Sequence, residues 1–171
     1  MEHLSGEAFR IVTRSHICHI SLSGFVIAMP REAALNVRLR QIGVVRSRLK
    51  SARNAPKQGD EGAPDAWLEV RSRFVDAIQG ISRGDTIIVV TWLHQARRDV
   101  LRVHPRDDAR NPLRGVFGTR SADRPNPLGL HTVAVKRIDG NRLRIGPIEA
   151  IDGTPVVDIK PTFRTRTNRS R

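Results

Sequence analysis

Aromatic residues are scarce in this chain: Phe, Trp and Tyr make up 4% of its 171 residues, and tyrosine is absent. A protein that grips single-stranded bases on a series of stacking platforms needs more of them, so that mode of reading is disfavoured. The single cysteine, Cys18, leaves no intramolecular disulfide and no multi-cysteine zinc site. Six histidines, at positions 3, 16, 19, 94, 104 and 131, fall in no HExxH pattern. His16 and His19 flank Cys18 but make a weak case, and no metal is expected. The apolar segment ICHISLSGFVIAM, residues 17–29, is too short to cross a bilayer as a helix. Its histidine and serines, and the MPREA that follows, also make a poor secretory signal. The expectations are a translation start at Met29, an ill-ordered extension over residues 1–28, no membrane partner and a reducing, cytoplasmic compartment. Also missing is a GxGxxG between a strand and a helix, which excludes the usual doubly wound nucleotide-binding domain.

Acidic residues are few beside basic ones. Seventeen Asp and Glu face thirty Lys and Arg, a formal net charge of +13. Such an excess draws polyanions, because each neutralised phosphate releases condensed counterions. An Arg-rich composition without a nucleic-acid partner is the bland alternative. After Asp158 no acid remains, while Lys160, Arg164, Arg166, Arg169 and Arg171 follow, so the chain ends in a basic tail. Its length suits one globular domain with tails, and a hydrophobic fraction of 39% supports a modest core. The expected division is an N-terminal extension over 1–38, a domain over 39–161 and the tail over 162–171.

Within that domain the regular segments are short. RLRQIGVVRSRL alternates and predicts a first strand around Gln41–Arg46. The Pro- and Gly-containing run SARNAPKQGDEGAPD predicts a long loop, and AWLEV a short strand. Phe74, Ile78 and Ile81 stand at helical spacing with Gly84 as a stop. DTIIVVTWL is the clearest buried strand and leads directly into His94 and Gln95. HPRDDARNPLRG predicts another loop, and HTVAVKRI a strand whose valines point outward and inward in turn. Asp139-Gly140-Asn141 and Asp152-Gly153 predict turns on either side of RLRI, with PVVDI as the last strand. Short strands joined by turns predict a mainly β protein: a small antiparallel β-barrel with one short helix.

The segment GVFGTRSADRPNPLGL, residues 115–130, is unlike the rest. Pro125 and Pro127 stiffen it and withhold two N–H donors, while neighbouring carbonyls stay available. Gly115, Gly118 and Gly129 permit close approach to the backbone. Arg120 and Arg124 carry planar forks suited to a carboxylate or phosphate. Two readings stay open on these grounds. One is a cradle for a small molecule with an anionic end; the other is a loop whose arginines pair with Asp107, Asp108 or Asp123.

This segment, followed by IDGTPVVDIKP, resembles the TsaA-like family, also called the TrmO-type tRNA methyltransferases, over about Arg40–Pro161. The resemblance implies a dimerising antiparallel β-barrel that binds S-adenosylmethionine near the subunit junction. It also implies a tRNA partner, methylated at N6 of threonylcarbamoyl-adenosine beside the anticodon. The family's P-[RK]-Q loop falls on Pro56, Lys57 and Gln58, and its HQ pair on His94 and Gln95. The arginine of its GVFATRS motif is Arg120, and the hydrophobic residue after RPNP-x-G is Leu130. Its DGTP turn is Asp152, Gly153, Thr154 and Pro155. These residues are the expected cofactor contacts, with Arg124 and Asn126 ordering the cradle. Gly118 stands where the family often has alanine, and Thr162 where it commonly has tyrosine. Arg120 suits the cofactor's carboxylate, carbonyls of the proline-rich turns its sulfonium, and the DGTP backbone its adenine edge. His94 and Asp158 are the candidate bases for the acceptor's proton. A non-catalytic, nucleic-acid-binding sensor of S-adenosylmethionine, or a methyltransferase with another acceptor, is the alternative.

Overall fold

The computed structural model describes residues 38–162. The N-terminal extension up to residue 37, with His16, Cys18 and His19, and the tail beyond Thr162 lie outside the described residues. Eight strands follow in order among those described: β1 Gly43–Arg46, β2 Ala66–Val70, β3 Thr86–Trp92, β4 Arg102–Val103, β5 Arg114–Gly115, β6 Leu128–Asp139, β7 Arg142–Gly146 and β8 Pro155–Pro161. Six of them close an antiparallel barrel in the order β1-β2-β7-β6-β3-β8, while β4 and β5 form a separate two-stranded ribbon. No helix among the described residues is long and apolar enough to cross a membrane.

Alternation fills the barrel. Ala66, Leu68 and Val70 of β2, Ile87 and Val89 of β3, Leu143 and Ile145 of β7 and Val156 of β8 all turn inward and are buried. The expected short helix is a 3₁₀ run, Ser72–Ile78, and its helical spacing brings Phe74 and Ile78 onto that core. β6 departs from expectation. Val133 and Val135 are both buried rather than alternating, because residues two apart share one face of a strand. The strand also begins earlier than predicted, at Leu128, inside the glycine- and proline-rich segment.

That early start changes the meaning of Gly129. It lies opposite Thr91 in the β3–β6 register. A Cβ there would come within 2.5 Å of Thr91 Oγ1 and 2.7 Å of His131 Nε2. The absent side chain therefore makes room for the protein's own polar groups and not for a ligand. Between Val90 and Thr91 the β3–β8 register also shifts by one residue, leaving Val157 as the extra residue of a bulge on β8 beside Thr91.

The DGTP turn is stitched to β1. Asp152 N–H donates to Leu49 O (2.7 Å), Gly153 N–H to Val45 O (2.9 Å) and Thr154 N–H to Ile151 O (3.2 Å). Gly153 supplies the left-handed backbone of the turn, φ 79°. With proline next, all the turn's N–H donors are committed, so the backbone groups it has left to present are carbonyls. The Asp152 carboxylate accepts from Lys50 Nζ (2.9 Å) and the Ser47 N–H (3.0 Å). These two bonds, Lys50 first, hold its carboxyl below the usual carboxylate range.

Two predictions follow from this packing. Gly129→Ala forces Thr91 or His131 off its position and lowers stability by about 1–3 kcal/mol in urea unfolding. Asp152 has its folded-state pKa depressed, so its stabilisation is complete above the unfolded value of about 3.9 and is lost as pH falls through the lower folded value. Asp152→Asn removes that dependence: an acid-unfolding series between about pH 5 and pH 2 shows a shallower loss of stability than wild type.

Candidate functional site

Strand direction decides where the site lies. In an antiparallel barrel ordered β1-β2-β7-β6-β3-β8, strands β1, β7 and β3 run the same way. Their C-terminal ends share one rim, and so do the connections that follow them: 47–65, 93–127 and 147–154. The opposite rim has the β2–β3 connection and the tight β6–β7 turn. All three rim connections line one cavity of about 980 Å³, a volume ample for a nucleoside-sized ligand.

Seven of the expected cofactor contacts line this cavity. Pro56, Lys57 and Gln58 come from the first connection, His94, Gln95 and Arg120 from the second, and Thr154 from the third. Arg120 is exposed, and among the described residues its guanidinium makes no hydrogen bond or ion pair. Lys57 pairs with Asp107, and Arg106 with Glu61 at 3.0 Å. These two bridges strap the first connection to the second, at a point where Arg106 and Asp107 adopt left-handed backbone (φ 62° and 58°).

Arg124 does not offer its fork to a ligand. Its Nε donates to Ser121 O (2.8 Å) and its Nη2 to Thr119 O (2.7 Å) and Val116 O (3.2 Å). It thereby holds the bend that carries Arg120, a positioning role. Neither arginine pairs with Asp107, Asp108 or Asp123: these bond Lys57, Arg110 and the Arg97 N–H respectively. The carbonyls of Asn126 and Pro127 already accept the N–H groups of Leu128 and Leu93, both at 2.8 Å. Open carbonyls were expected there; each has one lone pair committed.

Other expected residues sit elsewhere. Asp158 is on β8, paired in register with Val90 and bridged to Lys160 at 2.8 Å, away from the cavity lining. Asp152 lines a neighbouring groove with Arg46, Arg48 and Lys50. Gly153, Pro155 and Asn126 are not among the cavity's lining residues. Leu130 projects from the outer face of β6, 60% exposed.

At the cavity floor stand residues that sequence reading passed over. His131, inward on β6 and 5% exposed, bonds Thr91 Oγ1 through Nε2 at 2.9 Å. Its Nδ1 bonds Glu149 Oε1 at 2.8 Å. Burial alone raises the Glu149 carboxyl. The His131 hydrogen bond and charge, a backbone bond and the charge of Arg120 together outweigh it and bring the group below the usual range. An ionised carboxylate only accepts, so His131 Nδ1 donates to it, and Nε2 is held by the Thr91 hydroxyl. The signal in the sequence was faint: a histidine heading an alternating valine strand, and an acid flanked by apolar residues in GPIEAI. Among the described residues no group of three or more His, Cys, Asp or Glu side chains is arranged to hold a metal.

Comparison with known proteins gives this arrangement a context. The family model for the tRNA-methyltransferase O N-terminal domain matches residues 44–166. A probable S-adenosyl-L-methionine-binding protein of Methanothermobacter thermautotrophicus is 41% identical over 129 residues, 75% of this chain and 92% of that protein. An S-adenosyl-L-methionine-binding protein of Archaeoglobus fulgidus is 40% identical over 122 residues, 71% of this chain and 86% of that one. The crystal structure of TrmO from Pseudomonas aeruginosa superposes with a TM-score of 0.60 at 26% identity, covering 80% of this chain. This chain spans 61% of the length of that solved chain. With the match covering its whole barrel, the chain belongs to the family of tRNA-methyltransferase O N-terminal domains.

Proposed function

We propose that this protein is an S-adenosylmethionine-dependent methyltransferase acting on tRNA in the cytoplasm, with N6 of threonylcarbamoyl-adenosine beside the anticodon as its acceptor. The observation that carries the reading is convergence. The Pro56-Lys57-Gln58 loop, the His94-Gln95 pair and Arg120 come from two separate connections yet line one cavity. The relatives named as S-adenosyl-L-methionine-binding proteins support the choice of cofactor.

The residues present fit that cofactor. Arg120 offers a cation with no ion pair of its own among the described residues, suited to a carboxylate. Bound there, S-adenosylmethionine supplies an activated methyl on a sulfonium leaving group. The protein's share is alignment: Arg124 fixes the Arg120 bend, and the Lys57–Asp107 and Arg106–Glu61 bridges fix the facing loop. An acceptor nitrogen that took this methyl would have to shed a proton. His94 lies at the cavity and can take it; Asp158, bridged to Lys160 off the cavity, is poorly placed to do so.

A second copy belongs to this reading. Leu128 and Leu130 on the outer face of β6 and Phe117 beside the Arg120 bend are 41%, 60% and 80% exposed, apolar surface of the kind a subunit contact covers. Leu130 would then reach the cofactor from the subunit junction and not from within one barrel.

The names of the relatives speak of binding and not of transfer, which keeps a sensor that binds the cofactor without using it as the second reading. Incubation with tRNA and methyl-labelled cofactor, then digestion to nucleosides, separates the two. Label on the threonylcarbamoyl-adenosine derivative is expected; tight cofactor binding with no labelled nucleoside favours the sensor. In single-turnover methylation His94→Ala lowers the rate about 100-fold or more if His94 is the base, while Asp158→Ala leaves it within a few-fold of wild type. Arg124→Ala frees three carbonyls and loosens the bend, weakening cofactor binding by roughly tenfold in calorimetry.

A further inference from the structure

The cavity holds two opposite charges that do not meet. Arg120 stands exposed at the rim, and Glu149 lies at the floor with its side chain 25% exposed. The charge of Arg120 acts on Glu149, yet no bridge joins them. The neighbouring cations are committed elsewhere: Lys57 to Asp107 and Arg106 to Glu61. Glu149 therefore keeps a negative charge that nothing on the rim neutralises.

His131 alone does not explain that charge. A glutamine would accept the same Nδ1–H bond without the desolvation cost of a carboxylate. Only Oε1 is used in that bond. Oε2 faces Gly59, the residue after the Pro56-Lys57-Gln58 loop, where a Cβ would stand 3.4 Å from Oε2 and 3.1 Å from Pro147 O. Glycine thus lets the loop come close to the carboxylate without inserting a side chain. The chain from Thr91 through His131 fixes the carboxylate's orientation, since a ring bonded at both nitrogens cannot turn.

We propose that Glu149 is the receptor for the α-ammonium of an amino-acid-bearing ligand, opposite Arg120, which takes the α-carboxylate. The inference rests on the reading that this cavity takes S-adenosylmethionine, and it assigns the amino-acid end of that ligand to a specific pair. A cation with no ion pair among the described residues and a carboxylate whose side-chain partner is a histidine share one cavity, and they match a zwitterion in a way that neither matches alone. The ammonium, with three N–H donors, suits a carboxylate that His131 holds through Oε1 alone better than a sulfonium, which has none. Thr91 and His131 are positioning residues in this scheme; Glu149 touches the ligand.

Calorimetry with three related ligands tests it. S-adenosylmethionine has both ammonium and sulfonium, S-adenosylhomocysteine only the ammonium, and 5′-methylthioadenosine neither. In Glu149→Gln the first two weaken together by roughly tenfold to a hundredfold, while 5′-methylthioadenosine binds as to wild type. Loss confined to S-adenosylmethionine would mean that the carboxylate serves the sulfonium, and the assignment falls. Equal loss of all three, or none, overturns it as well. A second measurement needs no variant: wild-type protein must bind S-adenosylhomocysteine at least roughly tenfold more tightly than its des-amino analogue, and equal affinities refute the proposal. Wild-type protein that binds none of these ligands overturns the cofactor reading and this inference together, whereas binding untouched by Glu149→Gln overturns this inference alone.

Discussion

Closing an antiparallel sheet on itself with six strands imposes a parity: every second strand points the same way, and their ends gather on one rim. The chain uses that constraint unevenly. Its two longest connections leave from the ends of β1 and β3 and share a rim with the β7–β8 connection, while the other rim has the 3₁₀ segment and a tight turn. Residues as distant in sequence as Gln58, His94 and Thr154 meet because of this direction rule, before any side chain is considered. The barrel supplies rigidity at their bases, and the rim bridges supply it higher up.

The barrel interior is not uniform, and the change along its axis marks the transition from core to site. Paired positions in the β3–β6 register run from Ile87 opposite Val133 to Val89 opposite His131 and Thr91 opposite Gly129. Apolar packing gives way to a hydroxyl, an imidazole and an empty Cβ position within two inward steps. Buried polar groups of this kind destabilise a core unless they are bonded. Here they are: among the described residues no buried side-chain nitrogen or oxygen lacks a partner. The bulge beside Thr91 and the missing side chain of Gly129 are the local irregularities that let a polar layer fit inside a sheet designed around valines.

What could be read from the sequence divides along the same line. Alternation exposed β7, a β-branched run without a breaker exposed β3, and AWLEV between breakers exposed β2, each almost residue by residue. The motif loops were legible as glycine and proline irregularities, but their internal bonding was not. Whether Arg124 binds a ligand or three carbonyls depends on where the chain returns, which no local pattern encodes. Gly129 looked like a place for a ligand because glycine signals close approach without saying to what. Glu149 was hidden for a related reason: a single acid between isoleucine and alanine has no period, and its meaning comes from His131, eighteen positions earlier in the chain, across the rim.

Charge placement bears on the proposal that one cavity serves a cationic ligand and a polyanionic partner at once. A net charge of +13 favours encounter with nucleic acid, and a carboxylate on the rim would oppose the approach of phosphates. Glu149 is partly buried among the cavity's lining residues with His131 beneath it, while Arg120 occupies the exposed position. The rim carboxylates Glu61 and Asp107 are each paired with a cation, Arg106 and Lys57, whereas Glu149 is held by a buried histidine. The outer bridges are of a different kind: Arg46–Glu69 and Lys50–Asp152 lie exposed beside the groove next to the DGTP turn, and such pairs contribute little to stability. Their arginines and lysines can exchange a carboxylate for a phosphate at small cost. The inner carboxylate, held by a buried histidine, cannot be exchanged in that way, and this difference in commitment separates the cavity from the surface around it.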